Sequence, residues 1–590
     1  MKFNIKNILV ALATSVVFTA CIGDLDTYPL NKTDVTSETA YGADEAGYVA
    51  GLTKLYFNFL NTSDLNVKDG GASELIRAFW STQEATADAC KVAWKNDEWV
   101  RNLNGNTWKS EQNDATYAVY CRTLQGVAYV NEYLRQTSAD KLQLRGVSEE
   151  LAAKIDGFRA EARFLRAYFY WMAFDVFGAV PFTTEDSPFG GDFVPSQKSR
   201  AEVFSYVVRE LEELAGENSA MPAAQSNYPR ADKGSCLGLL ARLYLNAEVY
   251  TKSVENPNGT AMWEEAKATC ERIYALGYSL CDKYEDLFRG DNGQNLAARN
   301  EFLFTADYDA ESTQSYGGTS YLTFASGAAN DDFTRLFGVN NGWGGTRVPY
   351  TYVSKFFNVS AQNYETGNYN VKDERGKLFF IKGREENIED EEDLYSFLNG
   401  WTCVKFNNHP HGVNAEDIAD IVDVEKTDKN GKVETDADGN PIMVKDTVYY
   451  WEIASGKSYS DIDFPLIRLG EIHLIYAEAC MELGETATAL PKLAELAERA
   501  GVVAPTAAQV ENVSGADHWL MAERARELMW EGHRRTDLVR YGLYTGDTYL
   551  WTYKGGSPQG QAFADYMYIF PIPASEMASN PMLVQNEGYL

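Results

Sequence analysis

Two large aromatic residues stand in glycine runs where no helix or strand interior can form. Trp343 sits in Asn341-Gly-Trp-Gly-Gly345, and Tyr316 is followed by Gly317-Gly318. Glycine punctuates turns and loops, so each ring is either tucked beneath its loop or offered to a ligand. The Gly-Gly step implies an exposed turn at Tyr316, whereas core packing is the competing reading for Trp343. Metal chemistry has less support. Five histidines include no HExxH, and His409 and His411 flank Pro410 in loop-like sequence. Asp436-Ala-Asp438-Gly439-Asn440 has the start of a calcium loop, but it lacks the terminal glutamate and reads as a surface turn. Asp461-Ile-Asp463 offers two carboxylates to a structural calcium. The favoured alternative there is capping of a helix beginning at Phe464, with a dipole contact. No other cofactor is expected.

The elements that must position these residues begin after an export signal. Lys2 and Lys6 precede an apolar stretch, Ile8–Ala20, that is too short to span a bilayer. Ala20 stands directly before Cys21. Residues 1–20 therefore suit a lipoprotein signal, with Cys21 as the lipidated first residue of the mature chain. The alternative is an ordinary secretory signal with a chance cysteine, because Phe18 stands where leucine is usual. No later stretch approaches the ~20 apolar residues of a spanning helix, so attachment would be through acyl chains. The seven other cysteines include no CxxC and cannot all be bridged. Cys236 and Cys480 read as core residues, and a Cys270–Cys281 pair stays open. The net charge is −32, and loss of Lys2 and Lys6 makes it −34. Nucleic acid is a poor partner for such a chain, since phosphate contacts need a basic surface.

Helical periodicity dominates two blocks, about 113–278 and 464–544. In Phe158–Phe177, the residues Phe158, Ala162, Leu165, Phe169, Met172 and Val176 recur at three- and four-residue steps, which marks a buried stripe. Gly178 and then Pro181 stop that helix. Further helices are expected at Ala201–Leu214, Lys233–Val249, Trp263–Leu276, Arg468–Met481, Thr486–Ala500 and Trp519–Arg540. Paired helices of this length suggest tetratricopeptide-like stacking. Between the blocks, about 284–463, Gly, Asn, Asp and Tyr replace the periodicity. Asn430-Gly431 and Asp438-Gly439 within Ala415–Trp451 predict a β-hairpin insertion.

Five segments together resemble the SusD/RagB family. They are Gly157–Phe182 (GFRAEARFLRAYFYWMAFDVFGAVPF), Pro229–Tyr250, Phe464–Cys480, Glu523–Gly542 and Phe570–Tyr589. Most of their residues also read as helix core and turn; Arg524, Arg526 and Arg534 read as helix-end and ion-pair groups. The resemblance spans residues 21–590 as one domain. It implies a mainly α fold, a tetratricopeptide-like helix-pair scaffold with long irregular loops and a small hairpin insertion. It also implies a lipid-anchored outer-membrane protein facing the cell exterior, in partnership with a TonB-dependent transporter of the SusC type. Asp24 and Asp26 after Cys21 resemble the surface-export signal of such lipoproteins.

The similarity extends to loops of the family's starch-binding member: Tyr316–Tyr321, Asn341–Trp343, Val353–Phe357 and Tyr549–Gly556. Position by position, it implies a glycan site of Asp69, Arg77, Trp94, Tyr316 and Trp343, with Asp97 where that member has an asparagine, unless a shift brings Asn96 there. Val92 stands where a second tryptophan would be, and Trp99 is a nearby replacement. Such residues suit sugar chemistry. Aromatic faces cover the C–H faces of pyranoses, and Asp and Arg meet their hydroxyl rims. An α-glucan such as starch is the favoured ligand, a differently linked polysaccharide the alternative, and a protein-binding helical scaffold a further rival. Carboxylate pairs needed for glycoside hydrolysis carry no weight among 85 acidic residues, and a binder rather than an enzyme is expected.

Overall fold

The computed structural model describes residues 40–589 apart from 112, 189, 328–336, 359–370, 381–386, 414–418, 427–431, 437 and 450–456. Residues 1–20, Cys21, Asp24, Asp26 and Asn430-Gly431 lie outside the described residues.

Helix starts follow capping chemistry. Asn113 and Ser148 cap the helices Asp114–Gln136 and Glu149–Phe177. Ser199 and Glu202 form a reciprocal capping box at Arg200–Leu214, and Asp232 with Ser235 does the same at Lys233–Leu245. Each cap satisfies amides that the first turn leaves unpaired. These helices pack in sequence, each against the next. Lys233–Leu245 then meets Trp263–Tyr274, which lies against Leu469–Glu482, itself paired with Thr486–Arg499. The two helical blocks are thus one continuous stack of helix pairs. Its centre is Glu149–Phe177, in which every residue from Phe164 to Phe177 is buried. The expected stripe widens there to the whole circumference, because neighbours cover the helix on all sides. Among the described residues no helix is long and apolar enough to cross a membrane.

Three expectations need correction. Phe464 starts a strand, Phe464–Arg468, antiparallel to Phe302–Ala306, and the helix begins at Leu469. Asp463 therefore caps no helix. The expected helix Lys233–Val249 breaks at Asn246, whose side-chain amide donates to the Arg242 carbonyl at 2.9 Å. Trp519–Arg540 is two helices, Trp519–Glu527 and Arg534–Arg540; between them Trp530 and Gly532 adopt φ of 63° and 81°. Tyr549–Gly556 also has a packing role: Tyr549 donates to Asp88, and the buried Lys554 ammonium donates to the carbonyls of Leu543, Gly546 and Tyr549. The hairpin insertion is present as strands Ala419–Glu425 and Met443–Tyr449. At its Asp436 turn the carboxylate accepts from the amides of Asp438 and Asn440, both at 2.9 Å. The seven described cysteines, Cys270 and Cys281 included, are unbridged.

Charge ties the loop-rich region to the helical stack. Arg468 pairs with Glu301, Glu527 and Glu531 at 2.6–2.9 Å, while Arg375 pairs with Asp373, Glu523 and Glu527, each at 2.8 Å. Arg499 joins Glu301 and Glu527, and Lys405 joins Glu531. All these groups are buried. Arg524, Arg526 and Arg534 are likewise ion-paired, to Asp537, Glu523 and Asp88.

Candidate functional site

A cleft of about 590 Å³ opens beside the short helix Leu75–Trp80, and Asp69, Arg77, Trp94, Asp97, Tyr316 and Trp343 all line it. Four separate chain segments supply its walls. Arg77 projects from the helix and is 2 % exposed. Its guanidinium forms an ion pair with Asp69, donates to the Tyr316 carbonyl at 3.3 Å and lies 4.2 Å from the centre of the Tyr321 ring. Asp69 also accepts from the Gly71 amide at 3.0 Å. Both charged groups are therefore fixed before any ligand arrives.

Trp94 is carried by a two-residue ladder, Lys91–Val92 against Thr346–Arg347. Its indole lies across Gly345 so closely that a Cβ there would fall 2.3 Å from the ring. Glycine is thus required at 345 for the ring to rest on the backbone. Asp97 begins the helix Glu98–Asn104, and its side chain makes no capping bond. Tyr316 is 48 % exposed. Trp343 stacks on Phe324, with centroids 5.2 Å apart, and meets Tyr316 edge-on at 5.5 Å. The indole is partly buried, packed against Phe324 and also bordering the cleft.

Other expected residues lie elsewhere. Val92 is 3 % exposed, its backbone N–H and carbonyl bonded to the Asn104 side chain. It belongs to the core and does not line the cleft. Trp99 is 5 % exposed within the same core and does not supply the second tryptophan. Asn96 is exposed but outside the cleft lining. The carboxylates of Asp461 and Asp463 are occupied by protein donors. Asp461 pairs with Lys457 at 2.9 Å and accepts from Ala310, while Asp463 accepts from Tyr228 and from the Tyr308 amide. Among the described residues no group of three or more His, Cys, Asp or Glu side chains is arranged to hold a metal.

Sequence reasoning missed Thr62, Gln314 and Ser315 in the lining. It also missed Tyr459, whose ring tilts against Tyr316 at 5.1 Å and whose hydroxyl is pushed above its ordinary pKa by a hydrogen bond with Tyr316. Short polar side chains in loops give no pattern to find them by. The arrangement offers three indole or phenol surfaces around a fixed carboxylate–guanidinium pair. Such a cleft can hold a ligand with apolar faces and a hydroxyl rim.

Comparison with known proteins bears on that chemistry. The model described as "SusD family" matches residues 300–589, and the model described as "Starch-binding associating with outer membrane" matches residues 65–245. The chain is 31% identical to the starch-binding protein SusD of Bacteroides thetaiotaomicron, covering 98% of each sequence. Among solved structures, a SusD superfamily protein from Parabacteroides distasonis superposes with a TM-score of 0.63 at 17% identity, covering 94% of this chain and 100% of that one. A laminarin-binding SusD-like protein gives 0.59 at 18%, covering 92% and 100%.

Proposed function

This chain belongs to the SusD family, and from that premise we propose that it is a cell-surface glycan-binding protein with an α-glucan as ligand. The observation that carries the reading is the convergence of Asp69, Arg77, Trp94, Asp97, Tyr316 and Trp343, which span 275 positions of sequence, on one cleft. The 31% identical relative is named for starch, which favours an α-glucan. Relatives of the same fold include one named for laminarin, so the fold by itself does not select the linkage. Aromatic contacts of about 1 kcal/mol each, set against the ordering cost of association, imply micromolar to millimolar affinity. Such weak retention suits a protein that passes its cargo on to a SusC-type transporter. Asp69 is held by Arg77 as an acceptor, not presented as a free acid, which supports binding over hydrolysis.

Affinity electrophoresis against starch, pullulan, dextran, levan and xylan tests the ligand. Retardation by starch and pullulan is expected, and retardation by levan or xylan alone would replace the α-glucan assignment. Incubation with starch should release no reducing ends. Anchoring is proposed through Cys21: Cys21→Ala should abolish acyl labelling and free the protein from the outer membrane. Mild crosslinking of intact cells should trap a TonB-dependent barrel with it, and recovery of the monomer alone would count against that partnership.

A further inference from the structure

Beneath the cleft, and outside its lining, lies Glu74, whose side chain has no exposure to solvent. It precedes the helix Leu75–Trp80 and accepts from the Arg77 amide at 2.7 Å. The same oxygen accepts from the Gly318 amide at 3.0 Å, and the other accepts from the Tyr308 hydroxyl. One carboxylate therefore joins the element that carries Arg77 to the turn that carries Tyr316. The Arg77 guanidinium closes the circuit from above through the Tyr316 carbonyl. The glycines are shaped to this contact. A Cβ at Gly317 would fall 2.4 Å from the Cβ of Glu74, and one at Gly318 would fall 1.9 Å from the Tyr308 hydroxyl. Gly318 also adopts a φ of 47°. An ordinary cap serves one helix. This one spans two elements whose sequence positions are 244 apart.

We infer that Glu74 is the positioning residue of the cleft, the group that sets the Tyr316 ring and the Arg77 guanidinium at a fixed separation. The inference rests on the reading of the cleft as a glycan site. Glu74 receives three donors, and its ionised form is the stronger acceptor for all of them. Burial raises its pKa to about 7, against the lowering effects of Tyr308, the amides of Arg77 and Gly318, and the charge of Arg122. Arg77 is neutralised by Asp69 on the other side. Protonation removes the charge that strengthens the bonds from the Arg77 and Gly318 amides and loosens the turn.

Two measurements on the full chain decide the matter. In Glu74→Gln, hydrogen–deuterium exchange should rise at the amides of residues 314–318 and at Arg77; unchanged exchange in a folded variant would overturn the inference. For the unsubstituted protein, the affinity for maltoheptaose should fall roughly fivefold between pH 8.5 and 5.5, the equivalent of one buried hydrogen bond, with a midpoint near 7. Tyr308→Phe removes a donor that favours the ionised form and should move that midpoint upward, while Glu74→Gln should bind more weakly at pH 8.5 and show no pH step. An affinity independent of pH, with the same value in Glu74→Gln, would reduce Glu74 to a helix cap. Should no glucan bind at any pH, the reading of the cleft fails, and the exchange data alone decide whether Glu74 holds the turn.

Discussion

Trp343 packs against Phe324 and Tyr316 and also borders the cleft. Its replacement therefore separates binding from stability. Trp343→Ala should weaken α-glucan binding about tenfold, or about 1.4 kcal/mol. Because the ring is only partly buried, the loss of stability should stay well below the ~3–5 kcal/mol of emptying a core indole site. Calorimetric titration and a melting curve on the same variant check both halves; a large drop in melting temperature with normal binding would make Trp343 a core residue alone. Val92 gives the opposite case. Its side chain is enclosed, so Val92→Trp should destabilise the fold by about 1–3 kcal/mol through overpacking and bring no gain in starch affinity. A variant that melts normally and binds more tightly would show that the ring reaches the cleft after all.

The ladder of Lys91–Val92 with Thr346–Arg347 has only two residue pairs, yet it sets where Trp94 lies. Gly345→Ala should push the indole off the backbone and lower glucan affinity severalfold, an effect of about 1 kcal/mol on an aromatic contact. The helical stack, remote from this ladder, should keep its melting temperature. Normal binding by the variant would mean that Trp94 is free to move and is not held by its glycine. Elements of this kind mark the limit of what the sequence shows. Long helices are legible in it because apolar spacing and caps such as Ser199 and Asp232 lie within a few residues of each other. The strand Phe464–Arg468 is not, since its partner Phe302–Ala306 is about 160 positions away and an apolar helix follows it at once. Tyr316 is legible through its two glycines. Asp69, Arg77 and Trp94 come only through family resemblance, and Glu74 through neither, because a buried cap looks like any surface glutamate.

Buried charge governs how the whole molecule responds to acid. Burial alone would raise the pKa of Glu523 and Glu527, but the surrounding guanidinium groups of Arg375, Arg468, Arg499 and Arg526 outweigh it and hold both below the ordinary value. Unfolded glutamate titrates near 4.3, so the stability from this pair is complete above about pH 4.3 and lost as pH falls through the native values. Glu84 has the opposite sign. Burial raises it to about 7 despite the amides of Gly532 and His533, so its contribution is full below about pH 4.3 and lost as pH rises through 7. Melting temperature measured from pH 3 to 9 should therefore fall steeply on the acid side, and Glu84→Gln should flatten the decline that Glu84 adds between about pH 4.3 and 7. An unchanged slope between about pH 4.3 and 7 in that variant would remove Glu84 as its source. Arg468→Met, which leaves Glu301, Glu527 and Glu531 short of a cation, should cost about 3–5 kcal/mol, measured by denaturant unfolding.

The distance along the chain between Arg77 and Tyr316, 239 positions, also has a consequence for biogenesis. Closing a longer loop adds only ~0.6 kcal/mol per doubling of length, so the separation weighs little at equilibrium. It weighs on timing, because contacts remote in sequence form late. A chain ending before Trp343 has helices but lacks one wall of the cleft, so the cleft is completed late in folding, after the helices that surround it.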